Sequence, residues 1–339
     1  MAEHRFFQIS PQGVLQPKQS VEEALHIASG GKYAWLDFRN PSPEDLKPLI
    51  ELLEIHPLSI EDCLDDIQVP KMDNFEKTSF MLINSYSYRN SVIAIGEVDF
   101  IIGANFLVTV GGRGRVPHWE DTDIDPVLRR AVPTLGQGPD FLLHALMDYV
   151  IDTKHKAISL IESEVDETEE SIIKNLSSFR MSRLVNLRRN ILLMRKSLFY
   201  EREILIKLCR RDSPFVKEKA IYHFRDVYDH LTKYYEEAEI YRDVILSFTE
   251  MYLSMVNNRI SLTANRTNIT VRRLTLITTV FMPLTLLAGI FGMSEWSMIT
   301  GPGNWKISYP AFGLAMAVIG ACTYAILHRM YKKANAKEE

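Results

Sequence analysis

Two stretches of the chain carry no charged side chain: Leu274 to Ser294 and Ile307 to Leu327, 21 residues each. As helices they are about 30 Å long, the thickness of a bilayer's hydrocarbon core. The core helix of a soluble protein rarely stays free of charge for that length, so the pair predicts two transmembrane spans, over 274–294 and 307–327, joined by a short loop over 295–306. Arg259, Arg266, Arg272 and Arg273 precede the first span, and Arg329, Lys332, Lys333 and Lys337 follow the second. The loop holds only Glu295 and Lys306. Positive-inside reasoning then puts both termini in the cytoplasm and the loop outside, as in a multi-pass protein of the cell (inner) membrane. Lys332 and Lys333 are placed to meet anionic lipid. The opening "MAEHRFFQIS" lacks the basic and apolar regions of a signal peptide.

The remainder reads as an α+β cytoplasmic domain followed by long helices. Within 1–135, "YAWLDF" (33–38), "SFMLINSY" (79–86), "VIAIGEVDFII" (92–102) and "NFLVTV" (105–110) are strand-like and bounded by turn residues. "SPEDLKPLIELLEI" opens with a helix-start signal at Ser42-Pro43. Residues 136–213 hold two long amphipathic helices, with Gly/Pro-rich "GGRGRVPHW" and "PTLGQGPD" marking the boundary before them. Ser213 and Pro214 then predict the start of a stalk helix over 214–273. From Phe215 to Met282 there is neither glycine nor proline, so helix is expected to run unbroken into the first span. Continuous to Gly292, it would be roughly 79 residues and about 120 Å long. A helix of that length needs neighbouring copies to pack it. The second span and its basic tail occupy 307–331.

Several classes of function find no support. A net charge of −4 gives no argument for nucleic-acid binding. "GGRGRV" lacks the Gly-Lys-Ser/Thr ending of a phosphate loop. The nine histidines show no metal-protease spacing, no nucleophile constellation is present, and no cofactor site is indicated, so an enzyme is not expected. Cys63, Cys209 and Cys322 lie far apart, as small core residues of a reduced compartment do. The acidic run "ESEVDETEE" (162–170) reads as a solvated helix face.

Within the first span, steps of three and four residues pick out one stripe: Asn268, Val271, Thr275, Thr278, Met282, Thr285, Gly289 and Gly292. It is heptad-like, yet made of small, polar and flexible residues. Ordinary packing between membrane helices accounts for such a stripe; a water-lined pore face in a ring of identical helices is the sharper reading. The stripe ends in Gly292-Met293-Ser294.

At that triplet the chain resembles the CorA family of divalent-cation channels. "RRLTLITTVFMPLTLLAGIFGMS", a short loop, "YP" and a final span are similar to its membrane part, whose first span ends in Gly-Met-Asn. "HPLSIEDCLDDIQVPKMDNFEKTSFMLI" (56–83) is similar to its cytoplasmic domain, "FRDVYDHL" (224–231) to its stalk and "NRTN" (265–268) to its pore entry. The resemblance implies a funnel-shaped homopentamer with five first spans lining the pore. It implies Gly292, Met293 and Ser294 at the outer mouth, Leu274 and Met282 as apolar rings, and Mg²⁺, with Co²⁺ or Ni²⁺, as the cargo. Hydrated Mg²⁺ suits a filter of neutral oxygens. Pro283 removes one helical donor, which either leaves the carbonyl near Thr279 for the lumen or simply kinks a membrane helix.

Two departures bear on selectivity and gating. Ser294 replaces the family's asparagine, offering a hydroxyl in place of a carbonyl. Asp226 matches a regulatory carboxylate between subunits, but its partner position aligns with Arg89, which cannot ligate a cation and would pair with Asp226 instead. Between "YLS" (252–254) and "NRTN" the stalk carries about one heptad more than the family's, which keeps the seam in register. A zinc transporter of the ZntB type and a non-conducting scaffold or sensor are the alternative functions.

Overall fold

The computed structural model describes residues 4–26, 31–65, 69–112, 121–291, 301 and 303–335. They form two compact units, residues 1–252 and 253–339.

The first unit is built on a seven-stranded sheet of order β2-β1-β3-β7-β6-β5-β4. Its strands are β1 (Arg5–Ile9), β2 (Leu15–Lys18), β3 (Tyr33–Arg39), β4 (Met72–Asn74), β5 (Ser79–Arg89), β6 (Val92–Ile102) and β7 (Phe106–Gly111). All neighbours are antiparallel except β3 and β7. The strands expected at 33–38, 79–86, 92–102 and 105–110 are therefore present. Short helices α1 (Val21–Leu25), α2 (Pro43–Leu46), α3 (Pro48–Leu53) and α4 (Pro57–Leu64) cover one face. Leu36 and Phe38 lie in register with Val108 and Val110, and all four join Leu46, Leu49 and Ile60 in one core. The helix expected from Ser42 does begin there: the Asp45 carboxylate accepts from the Ser42 amide at 2.7 Å. It breaks at Pro48, which starts α3 instead of continuing the turn.

Three long helices complete this unit. α5 spans Asp121–Leu135, α6 Pro139–Lys174 and α7 Met181–Cys209, and α8 (Glu218–Phe291) contributes to both units. The 74 residues of α8 agree with the unbroken helix that its composition predicts, but its start does not lie at Ser213. The Ser213 side chain is buried against the Ser79 hydroxyl at 2.9 Å and accepts the Phe215 amide at 3.3 Å, which holds a turn. The exposed amide before α8 is satisfied from another element: Lys217 N donates to Asp140 Oδ2 of α6 at 3.0 Å.

The β5–β6 hairpin is longer than its neighbours. β4 pairs only with Ser79–Met81 and β7 only with Val98–Ile102, so the far half of the hairpin leaves strand amides without a third strand. Side chains of α7 replace the missing ladder. Glu201 Oε1 accepts the Asn84 amide at 2.9 Å, and Asn190 Oδ1 accepts the Ile93 amide at 3.2 Å. Glu201 Oε2 meets Lys154 Nζ of α6 at 2.5 Å, with both side chains fully buried. The ammonium also lies 4.4 Å from the centre of the Tyr86 ring. One carboxylate thus joins the sheet edge, α6 and α7.

The second unit holds the remainder of α8 and α9 (Trp305–Asn335), both long and apolar enough to cross a membrane. Their mutual face is a row of partly covered residues: Leu276, Val280, Leu284 and Leu287 on α8, and Phe312, Met316 and Gly320 on α9. A methyl group at Gly320 would meet Leu284 Cδ1 at 3.4 Å, an ordinary van der Waals contact, so the two helices touch there.

Lys154→Met should cost about 3–5 kcal/mol, because it strands the buried Glu201 charge. Lys154→Met combined with Glu201→Gln should recover part of that loss, as read by thermal melting of the purified chain.

Candidate functional site

The expected pore stripe is the side of α8 turned away from α9. Asn268, Val271, Thr275, Thr278, Met282, Thr285 and Gly289 are all exposed, as is Leu274, with Met282 at 73% and Leu274 at 62%. None of them packs into the core of a single chain. Around Gly289 no heavy atom lies within 4 Å of an added methyl group, so the chain itself places no steric demand for glycine there. Phe281 and Leu286 flank Met282 and Thr285 along a shallow groove that runs from Thr278 to Ile290. Gly292, Met293 and Ser294 lie outside the described residues.

The threonines of this stripe share one hydrogen-bond habit. Thr275 donates to Val271 O at 2.9 Å, Thr278 to Leu274 O at 3.0 Å, and Thr285 to Phe281 O at 2.8 Å. With the proton committed to the helix backbone, each hydroxyl presents only lone pairs outward. The stripe is therefore a row of acceptors, the polarity that the water shell of a cation requires. Pro283, inside the helix beside this stripe, withholds an amide from the carbonyl of Thr279, four residues back.

A second group lies in the first unit, where α6 and α8 pack through Phe141–His223 and His144–Phe224 ring contacts. Asp148 and Asp152 of α6 and His230 of α8 bring their ligand atoms within 4.8 Å of one another. Two carboxylate oxygens and one imidazole nitrogen suit a divalent cation of hard or borderline character. Burial first, then the charge of Asp152, raise the Asp148 carboxyl to about 6; Asp226 pushes the same way, against His230 and His223. Burial and the neighbouring His223 lower His144 to about 4, against the pull of Asp226. Asp226 is thus an electrostatic neighbour of this cluster. The signs oppose each other: His144 favours the fold above its ordinary value near 6.5 and loses that contribution as pH falls through about 4. Asp148 favours it below 3.8 and loses that contribution as pH rises through about 6.

Sequence reasoning named Asp226, which is not one of the three, and did not name this trio. The signal was present in the four-residue steps Asp148 to Asp152 and Asp226 to His230, each of which places two side chains on one helix face. The remaining expectations divide. Arg89 ends β5 beside the Asn90–Ser91 turn, whose residues both have positive φ, and is exposed. Within one chain it forms no ion pair with Asp226 among the described residues. The acidic run is solvated at Glu162, Asp166, Glu167, Glu169 and Glu170, but Glu164 is buried and receives the Tyr88 hydroxyl. None of Cys63, Cys209 and Cys322 forms a disulfide among the described residues.

Replacing Asp148 by Asn should raise the melting temperature in divalent-free buffer and shrink the further rise on adding Mg²⁺ or Co²⁺. Raising the Asp148 carboxyl to about 6 corresponds to about 3 kcal/mol in full, and solvent screening at this partly exposed site reduces the expected gain to about 1 kcal/mol.

The chain matches known proteins over nearly its whole length. The family described as "CorA-like Mg2+ transporter protein" covers residues 30–329. The cobalt/magnesium transport protein CorA of Thermotoga maritima is 30% identical over 307 residues, 88% of this chain and 83% of the relative. Among solved structures, the CorA magnesium transporter of Methanocaldococcus jannaschii superposes with a TM-score of 0.69 at 18% identity, covering 98% of both chains. The cytoplasmic domain of ZntB from Vibrio parahaemolyticus shares the fold of the soluble part, with a TM-score of 0.58 at 11% identity over 75% of this chain and 98% of that one. The exposed acceptor stripe, the two apolar helices and the match over residues 30–329 lead to one assignment: the chain belongs to the CorA-like Mg²⁺ transporter family.

Proposed function

We propose that the protein carries hydrated divalent cations, Mg²⁺ first and Co²⁺ or Ni²⁺ as well, through a pore lined by α8. The observation that carries this reading is the acceptor stripe: neutral oxygens, small residues and Met282 on a membrane-length face that the chain leaves bare. Several copies set around one axis would cover that face. Five is the number that the family resemblance implies, and mass measurement of the solubilised assembly tests it. A ring of outward lone pairs can hold the water shell of Mg²⁺ without stripping it, which suits an ion that gives up its waters slowly. Met282 and Leu274 would form the apolar constrictions that close the path by dewetting. Gly292, Met293 and Ser294 would form the outer mouth, with both termini in the cytoplasm.

Regulation is proposed at the α6–α8 cluster. A cation bridging Asp148, Asp152 and His230 would relieve the carboxylate repulsion there, next to Asp226. An Arg89–Asp226 pair between copies would compete with metal at that edge. A zinc-carrying function is favoured by one observation, the imidazole in this cluster, since nitrogen donors suit Zn²⁺ better than Mg²⁺.

Proteoliposomes holding the full chain should take up Mg²⁺ and Co²⁺. Gly289→Leu should lower that flux by about tenfold or more, by filling the axis where copies meet. Flux of Zn²⁺ alone would select the second reading, and no flux of Mg²⁺, Co²⁺, Ni²⁺ or Zn²⁺ would sink both. Ser294→Asn separates a tuned mouth, where flux changes in ion preference, from a dead one, where flux first arises.

A further inference from the structure

The two spans hold five threonines, and four of them share one habit. Thr275, Thr278 and Thr285 return their protons to α8 carbonyls, and Thr323 donates to Ile319 O of α9 at 2.8 Å. Thr279 departs from it. Its side chain is exposed, and its hydroxyl makes no hydrogen bond among the described residues. The cause is its neighbour. The acceptor that a threonine at 279 would use, four residues back, is Thr275 O. That carbonyl already receives the Thr279 amide of the helix ladder and the Thr278 hydroxyl, the latter at 3.0 Å, so both of its lone pairs are taken. Pro283 opens a second group on the same residue, because it brings no amide to the Thr279 carbonyl. One residue thus carries an unmet donor and an unmet acceptor inside a membrane-length helix.

Lipid satisfies neither group, so this side of α8 is not suited to face lipid. Nor does it face α9, which partly covers Leu276, Val280, Leu284 and Leu287 instead. A step of four residues turns a helix by about 40°, which puts Thr279 on the shoulder of the acceptor stripe, beside Thr275. The opposite shoulder holds Leu274, Ile277 and Phe281, all exposed. In a ring of copies the two shoulders meet, so the neighbour brings only apolar side chains to Thr279. Water in the lumen is the partner that can both donate and accept there. Along the axis Thr279 stands about 7.5 Å from Leu274 and about 4.5 Å from Met282, between the two apolar rings.

We propose that Thr279 is the wetting point of the gate, holding the water through which the segment between Leu274 and Met282 fills when the pore opens. This rests on the reading of α8 as the pore helix. A constriction that closes by dewetting is harder to dry where polar groups lose their only partner. The hydroxyl and carbonyl of each copy are met in the wet state and stranded in the dry one. Thr279 therefore sets the balance between conducting and closed pores by positioning water, while the ion keeps its own water shell.

The test is Mg²⁺ uptake by proteoliposomes holding the full chain, measured across Mg²⁺ concentrations. Thr279→Val keeps the branched shape and removes the hydroxyl; it should lower the maximal rate by about tenfold, the worth of one hydrogen bond, with the half-saturating concentration unchanged. Thr279→Ser keeps the hydroxyl and should stay within about twofold of the unaltered chain. Pro283→Ala returns an amide to the Thr279 carbonyl and should also lower the maximal rate. Mass and melting temperature of the solubilised protein show whether each variant assembles. An unchanged maximal rate in assembled Thr279→Val, or an equal fall in Thr279→Ser, would overturn the proposal and leave the channel reading intact. Where Thr279→Val does not assemble, an unchanged rate in Pro283→Ala overturns it. Absence of uptake by the unaltered chain would remove the channel reading and this inference together.

Discussion

The Glu201 carboxylate is the point at which the first unit holds together. Its two oxygens serve different masters: one completes the sheet edge at the Asn84 amide, and the other neutralises Lys154 on α6. Because the acid itself sits on α7, three elements share a single charge pair with no water to weaken it. Buried pairs of this kind add little net stability over apolar packing, but the alternatives to the correct arrangement are costly. An offset of α7 along α6 would leave an ammonium, a carboxylate and a strand amide all unsatisfied at once. The register of the helical hairpin on the sheet is fixed by that penalty. The position of α8 follows, since it packs on both helices through Arg195–Glu239 and the His144 and His223 rings.

The membrane part obeys the reverse rule. Thr279 apart, its polar groups are satisfied within one helix, because threonine protons return to backbone carbonyls one turn behind. This has two effects from one bond. The hydroxyl can be tolerated in an apolar span, and the oxygen that remains has a defined polarity toward whatever faces it. A serine or threonine stripe is often ambivalent between donor and acceptor; here the backbone has made the choice.

Much of this was legible in the sequence, and the reasons are physical. The spans, the long α8 and the strands at 33–38, 79–86, 92–102 and 105–110 all depend on patterns internal to one segment, either period or absence of charge. The misses depend on partners far away in the chain. Ser213 has the look of a helix cap, but Ser79 claims its hydroxyl and Asp140 supplies the cap from 77 residues away. Glu164 belongs to an acidic run and yet turns inward to Tyr88, which nothing in the run reveals. The trio of Asp148, Asp152 and His230 needed the α6–α8 pairing before its two half-sites could be joined. Pro48 is the exception, a local signal that competed with the helical period and won.

The bare stripe on α8 has a consequence for inheritance. A residue such as Gly289, with no intrachain neighbour to disturb, can change without harming the folding or insertion of its own chain. Its altered copies would therefore survive quality control and enter assemblies beside normal ones. In the proposed oligomer one such copy would spoil the axis for all, so variants on this face would act dominantly. Variants at Lys154 or Glu201, which weaken the fold of their own chain, would instead be depleted before assembly and act recessively.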